Sequence, residues 1–203
     1  MTMPIDSFKK RIEDIKALHA LHKYLCTSLP AIATSLDEIL RAEIVLIISA
    51  FDCFIHDIVR RGIMDIFKAN KDTNPKFDNL CIPISTVKQI LQADNDSERN
   101  ELLEICVKKI LSKNSYQSPS SIESALQLIS IKKIWASIKD GMNMSSEDIT
   151  KKLGIIINRR NKIAHESDMI NHIHTSKNEI KREDIDDIIN FISTLVECIN
   201  AQL

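Results

Sequence analysis

The stretch IVLIISAF, residues 44–51, decides the fold class. Taken alone, a run this apolar and this short reads as a buried strand. Its surroundings point the other way. From Ala31 to Arg61 there are 31 residues without a proline or a glycine. A strand inside so long a run without either breaker is less expected than a helix. The stretch therefore predicts the middle of one long central helix, apolar on most sides. Gly62 is a candidate bend or end, and IMDIFK (63–68) is able to continue the helix.

Composition extends the same reading outward. Of 203 residues, 44% are hydrophobic and 27% charged, a balance that supports one globular core. Glycine (3) and proline (5) are scarce, as expected of long helices with few breaks. Aromatics at 4% argue against base-stacking platforms for single strands. A net charge of −1 gives no global field for nucleic acid, so any anion site must be a local patch. Five cysteines, at 26, 53, 81, 106 and 198, show wide spacing and no CxxC. Those at 53, 106 and 198 lie in apolar helical stretches, which predicts reduced, buried thiols. The N-terminus lacks an apolar signal core, and residues 44–51 are too short to span a bilayer. A cytoplasmic protein is expected, with no membrane partner.

Before the central helix, Asp6-Ser7 is a plausible cap for a helix with Phe8, Ile12, Ile15, Leu18, Leu21 and Leu25 at amphipathic spacing. Pro30 breaks it. Residues 69–83 read as a loop, followed by helices at about 84–93 and 97–112. Pro119 and its serines mark a turn. Ser120 or Ser121 is a candidate cap for a helix burying Ile122, Leu126, Ile129 and Ile134, and Gly141 ends that segment. Ser145 or Ser146 then caps a helix whose first turn holds Glu147 and Asp148, running to about His165. Residues 166–180, with His172 and His174, read as an exposed loop. A last amphipathic helix is expected from Lys181 to Leu203. The chain reads as a single all-α domain, 1–203, an antiparallel helical bundle with a helical insertion at about 70–140.

The chemistry concentrates in IIINRRNKIAHESD, residues 155–168. Three isoleucines lead into a basic cluster closed by His165. Arginine grips a phosphate with a planar fork of donors, and histidine moves protons near neutrality. Together they suffice for attack of a ribose 2′-OH on its own phosphodiester without a metal. On an ideal helix, however, Arg160 and His165 are roughly 140° apart. Either the helix distorts or ends near Ala164, or two copies of the motif meet in a dimer. The competing reading is a basic helix end whose Lys162 and His165 complement the helix dipole.

In order and helical context, NRRNKIAHE resembles the R-x4–6-H motif of the HEPN superfamily. RAEIVLIISAFDCFIHDIVRRG (41–62) resembles the long second helix of these domains, and KREDIDDIINFISTLVECI (181–199) their last. The likeness covers roughly residues 35–67 and 145–202 and is nearest the ribonuclease-type branch of prokaryotic toxin and defence systems. It implies a helical bundle that dimerises, with two motifs meeting in a cleft that cuts RNA without a metal or other cofactor. Arg160 would stabilise the phosphorane, His165 would act as acid or base, and Asn161 would position the phosphate or the histidine. A restraining antitoxin, such as a small nucleotidyltransferase-like protein, or a sensor partner is also implied. Because such domains also occur as inactive binders, the alternative is a silent adaptor for RNA or a protein partner.

Asp52 and His56, at i and i+4, share a helix face. They read either as support for Arg160 or His165, or as a structural pair satisfying a buried polar group. Arg41 and Glu43 are weaker candidates that read equally as solvated charges. Lys151, Lys152, Arg159, Arg160 and Lys162 form a basic run suited to an RNA backbone or to a solvated helix face. His19, His22 and Cys26 share one face and have zinc-ligand chemistry, but no fourth ligand is evident, so surface histidines beside a half-buried cysteine are expected. Walker, GxGxxG, HExxH and GxSxG signatures are absent, which removes most support for nucleotide hydrolases, dehydrogenases, metalloproteases and serine hydrolases.

Overall fold

The computed structural model describes residues 3–69, 71–116, 118–170 and 173–203, with the side chains of 32–34 and 173–175 outside that description. His172 and the His174 side chain therefore lie outside the described residues. The class is all-α: helices account for nearly all the regular structure, with one two-stranded sheet. The chain divides into two compact units, residues 1–54 with 135–203, and residues 55–134.

In the first unit, α1 (Pro4–Ser28) begins with proline in its first turn, where no N–H is required. Met3 precedes it without a side-chain cap, so Asp6 and Ser7 lie inside the helix rather than capping it. The buried stripe of α1 is Phe8, Ile12, Ile15, His19 and His22. Leu21, expected on that stripe, is 47% exposed. A 3-10 segment, Pro30–Leu36, leads into α2, Asp37–Phe67. IVLIISAF is thus helical, with Ile44, Ile47, Ile48 and Phe51 buried. The helix starts six residues after Ala31, because Pro30 and its successors form the tighter turn first. Gly62 does not end it.

The second unit holds the latter part of α2 with α3 (Pro75–Asp78), α4 (Ile84–Gln92), α5 (Asp96–Leu111) and α6 (Pro119–Leu128). The expected loop at 69–83 contains α3, whose N-cap Asn74 accepts from the Lys76 and Phe77 amides. Ser118, not Ser120 or Ser121, caps α6, in a reciprocal box with Ser121. Ile58, Val59, Ile63, Leu103, Val107, Ile122 and Leu126 form its core. A Cβ on Gly62 would lie 2.4 Å from Ile129 Cγ2, so this glycine is a packing requirement.

The chain returns to the first unit through two single turns, α7 (Ile134–Ser137, its first residue counted with the second unit) and α8 (Lys139–Met142). Then follow α9 (Ser146–Glu166), β1 (Met169–Ile170), β2 (Ile173–Lys177) and α10 (Arg182–Asn200). The strands pair antiparallel, Met169 with Lys177 and Ile170 with Ile173. The exposed loop expected at 166–180 is therefore replaced by a short hairpin between a buried Asp168 and a buried Ile180. The α10 stripe of Ile185, Ile189, Ile192, Leu195, Val196 and Ile199 is buried, and the α1 and α10 helices are neighbours. Removing such side chains from water contributes about 1.5–3 kcal/mol each. All five cysteines are unpaired thiols. Cys106 is buried, Cys53 and Cys198 are half-buried, and Cys81 is exposed.

Candidate active site at the end of helix α9

Helix α9 starts where the sequence predicts. Ser145 Oγ accepts from the Asp148 amide and donates to the Asp148 carboxylate at 2.7 Å. Its buried stripe, Ile149, Leu153, Ile156 and Ile157, anchors the helix in the core. Arg160 continues this stripe by helical spacing, and it and Asn161 are half-buried where the core ends. His165 and Lys162 are exposed, on the face that also carries Lys151 and Ile155, the latter 61% exposed. The helix runs without interruption to Glu166, so no early end swings His165 round to Arg160. Ser167 and Asp168, both with positive φ, then turn the chain into the hairpin.

That turn delivers Asp168, which sequence reasoning missed. Its side chain is fully buried, and Oδ2 accepts from Arg41 Nε at 2.9 Å and from Arg159 Nη2 at 2.8 Å. The Asn178 side-chain amide donates to Asp168 Oδ1 (3.2 Å) and to its carbonyl (2.9 Å). Arg41 also donates to the Asn178 carbonyl and to Glu38, and Arg159 to the Glu179 carbonyl. Lys177 closes the ring onto Glu38 at 2.6 Å, and its hydrogen bond, with Arg41 nearby, pulls the Glu38 carboxyl below its ordinary pKa. This network joins α2, α9 and the hairpin. No short motif announces it, because its members come from four separate segments.

The two arginines of NRRN thus differ. Arg159 is engaged by Asp168. Among the described residues, the side chains of Arg160, Lys162 and His165 have no hydrogen-bond or ion-pair partner, and Asn161 Oδ1 is buried without one. Lys152 sits over the Phe191 ring of α10, 5.0 Å from its centroid. Of the basic run, Lys151, Arg160 and Lys162 are the cations without an intramolecular partner among the described residues. Asp52 is half-buried on α2. His56 is half-buried and packs on the Tyr116 ring, centroids 4.4 Å apart, within the second unit.

The histidines of α1 correct the sequence reading. His19 and His22 are 7% and 3% exposed, because they continue the stripe of Phe8, Ile12 and Ile15. His19 donates through Nδ1 to Glu43 at 2.7 Å, while Nε2 lies 3.6 Å from Asp186. Glu43 and Arg41 are buried, not solvated. Burial raises the Glu43 pKa, with His19 opposing. Arg182 donates to the His19 carbonyl and to His22 Nδ1 at 3.0 Å, which leaves Nε2–H to face Cys26 Sγ at 3.4 Å. Burial first, then Arg182, lowers the His22 pKa. Among the described residues, no group of three or more His, Cys, Asp or Glu side chains is arranged to hold a metal.

The family model described as RiboL-PSP-HEPN matches residues 6–203. The chain belongs to this HEPN family. The match runs through the middle segment as well as the two regions whose likeness is legible by eye. No curated protein and no solved structure matches the chain. Among the described residues, no helix of this HEPN protein is long and apolar enough to cross a membrane.

Proposed function

We propose that this HEPN protein is a metal-independent endoribonuclease, acting as a toxin or defence effector, with its site at the end of α9. The observation that supports this most is the contrast within NRRN. Arg159 is held by Asp168, whereas the side chains of Arg160, Asn161 and His165 make no intramolecular hydrogen bond among the described residues. Groups left this way at a family motif are suited to a substrate. In the proposed reaction His165, as base, takes the proton of the RNA 2′-OH. The O2′–P bond forms and the P–O5′ bond breaks, leaving a 2′,3′-cyclic phosphate and a 5′-hydroxyl that collects a proton. Arg160 stabilises the charge on the phosphorane oxygens. Asn161 positions the phosphate or the histidine. Asp52 supports the motif from α2, and Lys151, Lys152, Arg159 and Lys162 belong to the basic surface that follows the RNA backbone. Lys152 on Phe191 and Arg159 on Asp168 are already seated within the chain, so their charge acts as a field rather than a direct grip.

The angular separation of Arg160 and His165 on an uninterrupted helix supports a homodimer, in which Arg160 of one copy serves the same phosphodiester as His165 of the other. A nuclease of this kind requires restraint in its own cell, which calls for an antitoxin or sensor partner. The test is cleavage of a mixed tRNA and mRNA pool in EDTA by wild type and His165→Ala, with product ends analysed. Cyclic phosphate ends that disappear in the variant are expected. No cleavage, or equal cleavage by both, would overturn the proposal in favour of a silent adaptor.

A further inference from the structure

The second unit contains a cavity of about 620 Å³ bounded by α3, the α5–α6 connection and α6. It shares no residue with the α9 motif. Its volume falls within the range of small-molecule sites. Its floor is apolar: Tyr116 and Ala125 are buried, and Pro75 and Leu128 complete it. The Tyr116 ring is braced by the His56 ring. Its rim is cationic and rich in donors. Lys76 and Lys113 are both exposed and have no ion pair among the described residues, and Asn79, Asn114 and Ser124 add amides and a hydroxyl. Among the described residues, no aspartate or glutamate lines it. The walls are fixed from behind, since Asn74 caps α3 while donating to the Leu128 carbonyl and Ser130 Oγ, both at 3.0 Å. That bond fastens the Lys76 wall to the α6 wall.

An apolar floor takes a flat ring, and a rim with two lysines and no carboxylate takes an anion. The geometry points to a nucleoside monophosphate site, with the base against Tyr116, Ala125 and Leu128 and the phosphate between Lys76 and Lys113. The site is independent of the nuclease reading. It is tested by titration calorimetry of the full chain with AMP, GMP, CMP and UMP, and with adenosine, ribose 5-phosphate and inorganic phosphate as partial probes. At least one nucleotide is expected to bind with a Kd at or below about 1 mM. Lys76→Glu with Lys113→Glu should weaken it about tenfold or more, whereas His165→Ala should leave it unchanged. The lysines are exposed, so the double variant should keep its melting temperature, and Ser124→Leu, which fills the cavity, provides a second variant. Absence of heat with all four nucleotides would overturn the site. So would equal binding by the lysine variant, loss of binding in His165→Ala, or ribose 5-phosphate or inorganic phosphate binding as tightly as the best nucleotide.

Discussion

The Asp168 carboxylate has no access to water and shares one oxygen between two guanidinium groups. Removing one partner of a buried pair leaves the other charge desolvated, at about 3–5 kcal/mol. Asp168→Ala is expected to destabilise by that amount in urea unfolding, and a loss below about 1 kcal/mol would contradict the buried network. The neighbouring arginines should then separate. Arg159→Ala removes hydrogen bonds to a charged acceptor and should cost about 1.5–3 kcal/mol. Arg160→Ala should stay within about 0.5 kcal/mol of wild type. Equal melting temperatures for the two variants would refute the distinction. His22 makes a pH prediction. Its folded pKa lies below the ordinary 6.5, so the neutral ring is the form the fold prefers. That contribution is complete above 6.5 and is lost as pH falls through the folded value. His22→Gln should therefore lose less stability than wild type between pH 7.5 and 5.5, read by denaturant midpoints at each pH. A steeper acid-side loss in the variant would reverse the sign. At this scale the placement of Arg160, Asn161 and His165 on one helix was legible, because the cap at Ser145 and the apolar stripe after it fix α9 through the motif. Asp168 was not, since an aspartate just past a helix end looks solvated until Arg41, 127 positions away, is brought to it. His19 and His22 were misplaced because the leucines of α1 form a competing stripe at the same period.

Elements follow from local rules where one rule dominates. Helix α2 was legible because a run without proline or glycine outweighs the strand-like look of residues 44–51. The start of α9 was legible because Ser145 and Asp148 supply a cap whatever packs above them. The 166–180 hairpin was not, because its pairing depends on a turn set by Ser167 and Asp168 in the left-handed region, which neither residue type announces strongly. Gly62 lies between these cases. In a helix interior, replacing glycine by alanine normally gains up to about 1 kcal/mol. Here the added Cβ would stand 2.4 Å from Cγ2 and 2.7 Å from Cβ of Ile129. The closest atoms belong to the branch point of a stiff side chain, not to a flexible tip. Gly62→Ala is therefore expected to destabilise by about 1–3 kcal/mol. The cost should shrink by at least about 0.5 kcal/mol when Ile129→Ala is already present, as a double-mutant cycle would report. A stabilised Gly62→Ala would mean that α2 and the residues after α6 do not pack as closely as described.

At the scale of the whole molecule, the question is whether one chain completes its own site. On α9, Arg160 extends the core-facing stripe, while His165 shares the opposite, exposed face with Lys162 and Ile155. An exposed isoleucine beside a histidine and a lysine whose side chains have no partner among the described residues is suited to contact with a second copy, where apolar area and the motif are covered together. In the proposed homodimer a two-fold interface would make such contacts reciprocal, so that each of two sites would take Arg160 from one copy and His165 from the other. Light scattering at micromolar concentration should then give twice the 23.1 kDa chain mass. Mixing sharpens the test. Arg160→Ala and His165→Ala should each be inactive alone. After co-expression, half the dimers are mixed, and each mixed dimer holds one intact site of two, so about a quarter of wild-type cleavage should return. A site contained within one copy would stay silent in the mixture, because neither chain then holds both residues. If the chain runs as a monomer and still cleaves RNA, the two-copy geometry is wrong, and Arg160 must act from some other position than opposite His165.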